Sequence, residues 1–206
     1  GRMMIPLQDP SGSTIGFTGR ILSDEPNSPK YLNTPQTMLY DKSRHVFGLS
    51  QAKQSIRKNN FVVVVEGNMD VIASHQVDVK NVVATAGTAI TAQHLKSISK
   101  YTNDIRLCFD ADAATERAIV LAQAVGADIS IISLDQSAGA AKDPDELIQK
   151  DVKLWQKSIA NPKAAVDWVL DQYETRLDIK TATGKREFST AALKLVQNLN
   201  DPVEKE

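Results

Sequence analysis

The stretch FVVVVEGNMD, residues 61–70, decides how the fold is predicted from this sequence. Apolar residues fill positions 61–65, Glu66 and Gly67 end the run, and Asp70 follows. Short runs of β-branched and aromatic residues that stop at a glycine are typical of buried strands. A carboxylate directly after such a strand lies at the carboxyl edge of the sheet, where open α/β folds place their functional sites. We therefore expect Glu66 and Asp70 at a functional sheet edge.

The same arrangement recurs further along the chain. In IRLCFDAD, residues 105–112, an apolar strand ends at Asp110, and Asp112 follows two residues later. The motif KDPDEL, residues 142–147, adds Asp143 and Asp145 after a further predicted strand. An Asp followed by Pro is a favoured helix start, so Asp143 is the expected N-cap of a helix.

The central part of the chain alternates predicted strands and helices. We expect strands at 61–65, 81–85, 105–109 and 128–133, with helices at 69–76, 91–101 and 113–125 and from 143 onward. Such alternation predicts right-handed βαβ units and a parallel sheet. The predicted fold is therefore α/β, with a central parallel sheet flanked by helices.

The two ends of the chain have different patterns. Residues 1–22 predict a β-hairpin, residues 23–38 contain three prolines and are expected to be irregular, and 44–59 predict a short helix. Residues 151–206 carry only helical signals, with one helix from Asn161-Pro162 to Tyr173 and a break at Thr183-Gly184 before a second. We therefore expect a small amino-terminal α+β subdomain at 1–60, a catalytic domain at 61–150 and a helical subdomain at 151–206.

Composition favours a cytoplasmic globular protein. The sequence is 42% hydrophobic and 24% charged, and Cys108 is its one cysteine, so neither a disulfide framework nor a cysteine-rich zinc site is expected. No apolar run approaches the ~18 residues of a membrane helix, and no signal peptide is visible. We expect no zinc and no membrane partner.

Charge is unevenly distributed along the chain. Residues 1–60 carry 8 Lys/Arg and 4 Asp/Glu, residues 61–150 carry 7 and 12, and residues 151–206 carry 9 and 9. A basic first part can meet a polyanion while an acidic middle part holds cations, and a mixed solvated surface is the alternative.

Carboxylates gathered at one sheet edge require a counter-charge. Two unit charges about 4 Å apart repel by roughly 4 kcal/mol at the effective dielectric of a protein surface. Carboxylate oxygens select Mg²⁺ or Mn²⁺, and two such ions can stabilise the attacking and leaving oxygens of a phosphoryl displacement. The alternative for any single acid is a structural one, in which Asp112 and Asp143 cap helices and Glu66 is a solvated turn residue.

Five motifs in order resemble the RNA polymerase core of DnaG-type bacterial DNA primases, including its Toprim domain. They are PKYLNTPQT (29–37), VVEGNMDVIA (64–73), ATAGTAIT (84–91), LCFDADAATERA (107–118) and KDPDEL (142–147). The resemblance spans about residues 2–150.

The resemblance implies template-directed synthesis of short RNA primers on single-stranded DNA from NTPs, giving an RNA–DNA hybrid with Mg²⁺ or Mn²⁺ as cofactor. It implies a cytoplasmic enzyme of the bacterial replication fork, part of the primosome. The metal ligands it implies are Asp110, Asp112, Asp143, Asp145 and Glu66, with Glu66, Asp70, Asp110 and Asp112 as catalytic residues. The implied DNA- and nucleotide-binding residues are Arg20, Lys30, Tyr31, Asn33 and Lys42.

The chain departs from the family pattern at several positions. Asn68 replaces an aromatic residue, Ala111 and Thr115 replace glycines, Ala113 replaces a basic residue and Ala86 a larger apolar one. The family's zinc module and helicase-binding domain are expected to be absent, so weak template binding and little initiation are expected. The alternatives are a weakly active or non-catalytic single-stranded-DNA-binding Toprim module and a Toprim nuclease.

Overall fold

The computed structural model describes residues 1–23, 28–109, 113–135, 137, 139–178 and 180–198. Asp110, Ala111 and Asp112 lie outside the described residues, so the predictions that concern them have no structural counterpart here. No helix in these described ranges is long and apolar enough to cross a membrane.

The amino-terminal part forms a three-stranded antiparallel sheet in the order β1-β2-β3. Its strands are β1 (Arg2–Gln8), β2 (Thr14–Ile21) and β3 (Tyr31–Asn33). The predicted hairpin is confirmed. The expectation that residues 23–38 contain no regular structure is wrong for β3, because Tyr31–Asn33 contains no proline and keeps every N–H for pairing.

The central sheet has the order β5-β4-β6-β7-β8. Its first four strands are parallel and are β4 (Val62–Val65), β5 (Val82–Ala84), β6 (Asp104–Cys108) and β7 (Asp128–Ile131). The helices between and around them are α1 (Leu49–Asn59), α2 (Asn68–Gln76), α3 (Ala92–Ile98), α4 (Ala113–Gln123), α5 (Pro144–Lys150) and α6 (Val152–Ala160). The predicted α/β alternation with a parallel sheet is confirmed.

Helices cover both faces of the central sheet. All four residues of β4 are fully buried, as expected for a parallel strand between two helical layers. Val62 and Val64 face a core that includes α1, α3, α4 and the later helix at Ala165–Arg176. Val63 and Val65 face a second core that includes α2, α5, α6 and the buried residues of β1.

Strand β1 fixes the amino-terminal sheet against the central domain. Ile5 and Leu7 are buried in the second core, with Leu7 fully inaccessible. Burying two such side chains stabilises the contact by roughly 3–6 kcal/mol. This packing holds the neighbouring strands β2 and β3 in a defined place relative to the central sheet.

The carboxy-terminal part differs from the prediction at two points. β8 (Lys163–Ala164) pairs antiparallel with β7, so residues 151–206 are not only helical, and α7 (Ala165–Arg176) begins after this strand. The predicted break at Thr183-Gly184 is wrong, because both residues lie in the first turn of the helix α8 (Ala182–Asn198). Gly184 is tolerated there because its N–H donates to Thr181 Oγ1, 3.0 Å away, at the start of the helix.

Candidate active site at the carboxyl edge of the sheet

A cavity of about 810 Å³ lies at the carboxyl ends of β4, β6 and β7. The end of each strand contributes lining residues: Glu66 after β4, Phe109 after β6 and Ile132 after β7. The site residues predicted from sequence that line it are Arg20, Lys30, Tyr31, Glu66, Asp70, Asp143 and Asp145. Basic residues of the amino-terminal sheet therefore share one cavity with acidic residues of the central domain.

Glu66 and Asp70 differ sharply in exposure although both follow β4. Glu66 is exposed in the cavity, whereas Asp70 is only 7% exposed. The carboxylate of Asp70 accepts hydrogen bonds from the backbone N–H of Gly67 and of Asp145, each 3.1 Å long. The pKa of Asp70 is raised to about 6, mainly by burial; the nearby Asp143 and Asp145 carboxylates also raise it, and these two hydrogen bonds lower it.

Asp143 and Asp145 lie at the amino end of α5. Asp143 caps the helix as predicted, because its Oδ1 accepts the N–H of Glu146 at 2.8 Å. The Oδ1 of Asp145 accepts a hydrogen bond from Gln149 at 3.0 Å. Asp143 is exposed and Asp145 is half-buried, so both carboxylates reach the cavity. The capping role of Asp143 leaves its second oxygen available to a ligand in the cavity.

The amino-terminal sheet brings cationic and phenolic groups to the same cavity. Arg20 of β2 lies directly opposite Tyr31 of β3, and Lys30 precedes Tyr31 and is exposed. Burial is the main cause that raises the pKa of Tyr31; Arg20 lowers it, and the carboxylates of Asp70, Asp145 and Asp143 raise it. Tyr31 therefore lies within electrostatic reach of both the basic and the acidic side of the site.

Two residues of the predicted DNA-binding set do not line this cavity. Asn33 lies opposite Thr18 in the amino-terminal sheet. The carbonyl oxygen of Lys42 is 2.8 Å from Nε2 of His94, which ties its backbone to α3. The structure therefore does not bring Asn33 or Lys42 to the cavity.

The sequence prediction missed several residues of this cavity. Lys142 directly precedes the Asp143 N-cap, and its position next to a helix start at the sheet edge was the signal that could have identified it. Trp168 and Gln172 come from α7, one turn apart. No local pattern in the sequence relates α7 to this sheet edge.

The carboxylates that line the cavity fit a hard divalent cation. Glu66, Asp143 and Asp145 present carboxylate oxygens, the ligand type that Mg²⁺ and Mn²⁺ prefer. Within the part of the chain that the structure describes, no three acidic, histidine or cysteine side chains are grouped closely enough to enclose an ion. Asp110 and Asp112, the other two metal ligands predicted from the sequence, follow Phe109 and lie outside the described residues.

Two departures from the family pattern have a visible structural setting. Asn68, at the start of α2, is 7% exposed, and its Oδ1 has no hydrogen-bond partner among the described residues. Ala86 has a φ of 58°, in the left-handed region that favours glycine. Both positions adjoin the sheet edge.

Family models match three consecutive parts of the chain. Residues 63–148 match "Toprim-like", residues 1–53 match "DNA primase catalytic core, N-terminal domain" and residues 166–206 match "DnaB-helicase binding domain of primase". The parallel sheet with acids at its carboxyl edge thus defines a protein of the Toprim class.

Curated relatives and solved structures narrow the class. A DNA primase of Clostridium acetobutylicum is 33% identical over all of this chain and 34% of its own length, and one of Synechococcus elongatus is 41% identical over 83% of this chain and 25% of its own. The chain belongs to the family of DnaG-type bacterial DNA primases. It spans about a third of the length of the first of these relatives and a quarter of the second.

Solved primase cores have the same fold. A structure of the DnaG catalytic core matches with a TM-score of 0.81 at 30% identity, covering 99% of this chain and 66% of that one. A DnaG primase catalytic domain bound to single-stranded DNA matches with a TM-score of 0.83 at 30% identity and the same coverage. The Escherichia coli primase catalytic core matches with a TM-score of 0.80 at 32% identity, covering 96% of this chain and 64% of that one. Membership of this Toprim family implies the use of a divalent metal ion.

The match at residues 166–206 corrects one expectation. A helicase-binding domain was expected to be absent, but this segment, which includes most of α7 and all of α8, matches the helicase-binding family model. The same helices fall within the 99% of the chain covered by solved catalytic cores. Helical signals in the sequence did not distinguish a helical part of the catalytic core from a helicase-binding domain.

Proposed function

We propose that this chain carries out the nucleotidyl-transfer step of a bacterial primase, in which NTPs are joined into a short RNA primer on a single-stranded DNA template. The observation that carries the proposal is the shared cavity, which Arg20 and Lys30 line together with Glu66, Asp143 and Asp145. A polyanionic template and a metal-bound triphosphate require this pairing of basic and acidic surfaces. The RNA–DNA hybrid product would occupy the same place.

The proposed division of labour follows the three parts of the chain. Residues 1–60 would bind the template and nucleotides, residues 61–150 would carry the chemistry, and residues 151–206 would form a helical subdomain that closes one side of the site. Ile5 and Leu7 of β1 support this arrangement, because they hold the amino-terminal sheet against the central core.

The acidic residues would hold the metal ions. We assign Glu66, Asp110, Asp112, Asp143 and Asp145 as ligands of Mg²⁺, with Mn²⁺ as a substitute. Bound there, the ions would neutralise charge on the triphosphate and on the attacking and leaving oxygens. The half-buried setting of Asp145 and the N-cap bond of Asp143 fix these two carboxylates before any ligand binds.

The basic residues would position nucleic acid and triphosphate. The exposed ammonium of Lys30 and the guanidinium of Arg20 would contact phosphates, the latter with a geometry suited to two oxygens at once. Tyr31 lines the same cavity and interacts electrostatically with Arg20 and with the acids, and its ring would orient the bound strand. Asn33 and Lys42 remain proposed contacts for parts of the nucleic acid outside this cavity.

Primer synthesis in the native polypeptide that contains this chain tests the proposal. Asp112→Ala should abolish primer synthesis from NTPs on single-stranded DNA while DNA binding is retained. Asp128→Asn is the matched control, because Asp128 is exposed at the opposite, amino end of β7. Retained synthesis by Asp112→Ala would reject the catalytic role of Asp112. A wild-type protein that binds DNA without synthesis would favour a non-catalytic DNA-binding module, and template cleavage without synthesis would favour a nuclease.

A second proposed role is contact with the replicative helicase at the replication fork in the bacterial cytoplasm. The observation that favours it is the match of residues 166–206 to the helicase-binding family model, together with Leu193 of α8, which is 62% exposed. Leu193→Glu should weaken binding to a DnaB-type helicase. Leu22→Glu, at an equally apolar exposed position on the amino-terminal part, should leave that binding unchanged.

A further inference from the structure

The carboxylate of Asp70 connects the amino ends of two helices. Asp70 is in the first turn of α2, and its Oδ2 accepts the N–H of Gly67, the N-cap of that helix, at 3.1 Å. Its Oδ1 accepts the N–H of Asp145 in the first turn of α5, also at 3.1 Å, across 75 residues of sequence. The first N–H groups of a helix have no partner within the helix, so one side chain satisfies this need for two helices at once.

This connection places Asp70 behind the proposed metal ligands and not among them. Asp70 borders the cavity but is only 7% exposed, and each of its two oxygens already has a backbone donor. Glu66, Asp143 and Asp145 are all more exposed. Among the described residues, the hydrogen bonds to the Asp70 carboxylate come from backbone N–H groups, one of them that of the proposed ligand Asp145.

The Asp70 contact adds a second support to the first turn of α5. Asp143 accepts the N–H of Glu146, and Asp70 accepts the N–H of Asp145. The first turn of α5 is therefore held by its own N-cap and by a side chain of α2. Loss of the bond to Asp70 would free Asp145, which is one proposed ligand and lies two residues after the other, Asp143.

We propose that Asp70 is a positioning residue that holds Asp143 and Asp145 of α5 in the geometry required for metal binding, and is not itself a metal ligand. This inference rests on the proposed function and replaces a direct catalytic role for Asp70 with an indirect one. Groups that orient metal ligands typically change metal affinity by about 10–100-fold when they are removed.

Mn²⁺ titration followed by electron paramagnetic resonance tests the inference on the chain as it stands. Asp70→Ala should bind the same number of ions as the wild type with an affinity about 10-fold lower. Asp70→Asn keeps one carbonyl oxygen as an acceptor but turns an NH₂ group toward a backbone donor, so its affinity should lie between the two. Primer synthesis by Asp70→Ala should be restored by raising the Mn²⁺ concentration, because the ligands themselves remain.

Ser74→Ala separates positioning from a loss of helix stability. Ser74 is buried on the same helix, and its hydroxyl donates to the backbone carbonyl of Asp70 at 2.7 Å, away from the carboxylate. Ser74→Ala should lower thermal stability but leave Mn²⁺ affinity unchanged. If Asp70→Ala does not fold, the Mn²⁺ affinities of Asp70→Asn and Ser74→Ala are compared instead, and only Asp70→Asn should show a lower affinity.

Amide hydrogen exchange measured by NMR gives a second readout. Exchange at the Asp145 N–H should be slow in the wild type and in Ser74→Ala, and about 10-fold faster in Asp70→Ala, because its acceptor is lost. Unchanged exchange and Mn²⁺ affinity in Asp70→Ala, or loss of one bound ion, would overturn the positioning role. A wild-type chain that binds no Mn²⁺ would instead reject the proposed metal site as a whole.

Discussion

Arg20 and Tyr31 lie directly opposite each other on neighbouring antiparallel strands, and both border the cavity that contains the acidic sheet edge. Their strands come from the amino-terminal sheet, whereas the acids come from turns and helix starts of the central α/β domain. The site is therefore composite, and the docking of one sheet on the other determines the distance between its basic and acidic sides.

Removal of the cations should weaken binding to single-stranded DNA. Arg20→Ala and Lys30→Ala should each lower affinity, because a phosphate contact and its released counterions are lost. Each lost contact should reduce the slope of log affinity against log salt by about 0.7. Fluorescence anisotropy with a labelled oligonucleotide at several salt concentrations measures both quantities.

Lys58→Ala provides the matched control for these two variants. Lys58 is exposed in the last turn of α1 and does not border the cavity. Its removal should leave the slope unchanged. A slope for Arg20→Ala and Lys30→Ala equal to that of Lys58→Ala would remove both residues from the binding surface.

Gly67 should not tolerate a side chain. Its backbone, with φ −102° and ψ 146°, is accessible to any residue, but an added Cβ would lie 2.7 Å from Oδ2 of Asp70. Gly67→Ala should therefore displace the Asp70 carboxylate, lower the free energy of unfolding by about 1–3 kcal/mol and weaken Mn²⁺ binding. Chemical denaturation and Mn²⁺ titration measure the two effects.

Gly126→Ala distinguishes this collision from a general cost of replacing glycine. Gly126 has a φ of 70°, and an added Cβ there would meet nothing within 4 Å. Its replacement should cost stability through backbone strain but should not change Mn²⁺ affinity. Equal Mn²⁺ affinities for the two variants would show that Gly67 has no part in positioning Asp70.

His45 should make the fold sensitive to acid. It is 6% exposed, its Nε2 has no hydrogen-bond partner among the described residues, and burial together with the nearby His94 lowers its pKa to about 4. The unfolded chain takes up a proton at this side chain near pH 6.5, while the folded chain resists protonation until about pH 4. Stability should therefore fall as pH falls through this window.

His45→Phe isolates this contribution. The substituted ring keeps an aromatic group beside Tyr40, whose ring centroid lies 5.3 Å from that of His45. Between pH 7 and pH 4.5 the wild type should lose about 2–3 kcal/mol more of unfolding free energy than His45→Phe, measured by urea denaturation. All other titrating groups are common to both proteins, so equal losses would show that His45 does not titrate abnormally.

The acidic side of the site could largely be predicted from the sequence. Glu66 follows a fully apolar strand and Asp143 precedes a proline, and both signals are local, so parallel pairing is enough to bring these residues to one edge. The central α/β alternation could be predicted because its strand and helix signals are also local in the sequence. The separate roles of Glu66 and Asp70 could not be predicted, because the bond from Asp145 to Asp70 joins residues that are distant in sequence.

The remaining parts depend on tertiary packing. The place of Arg20 beside the acids follows from the burial of Ile5 and Leu7 in the central core, and only the family resemblance indicated it. β8 has two residues and is defined by its pairing with β7, so no sequence pattern marks it. Trp168 and Gln172 line the cavity because α7 directly follows β8, and β8 pairs with β7 of the central sheet.

Diffraction from crystals of this chain soaked in Mn²⁺, collected at a wavelength where manganese scatters anomalously, tests directly whether the acidic sheet edge binds metal. We expect manganese peaks in the cavity beside Glu66, Asp143 and Asp145. We also expect the Asp70 oxygens to keep their bonds to Gly67 and Asp145. An ordered, solvent-open cavity without manganese at millimolar Mn²⁺, or manganese bound elsewhere on the chain, would contradict the proposed metal site.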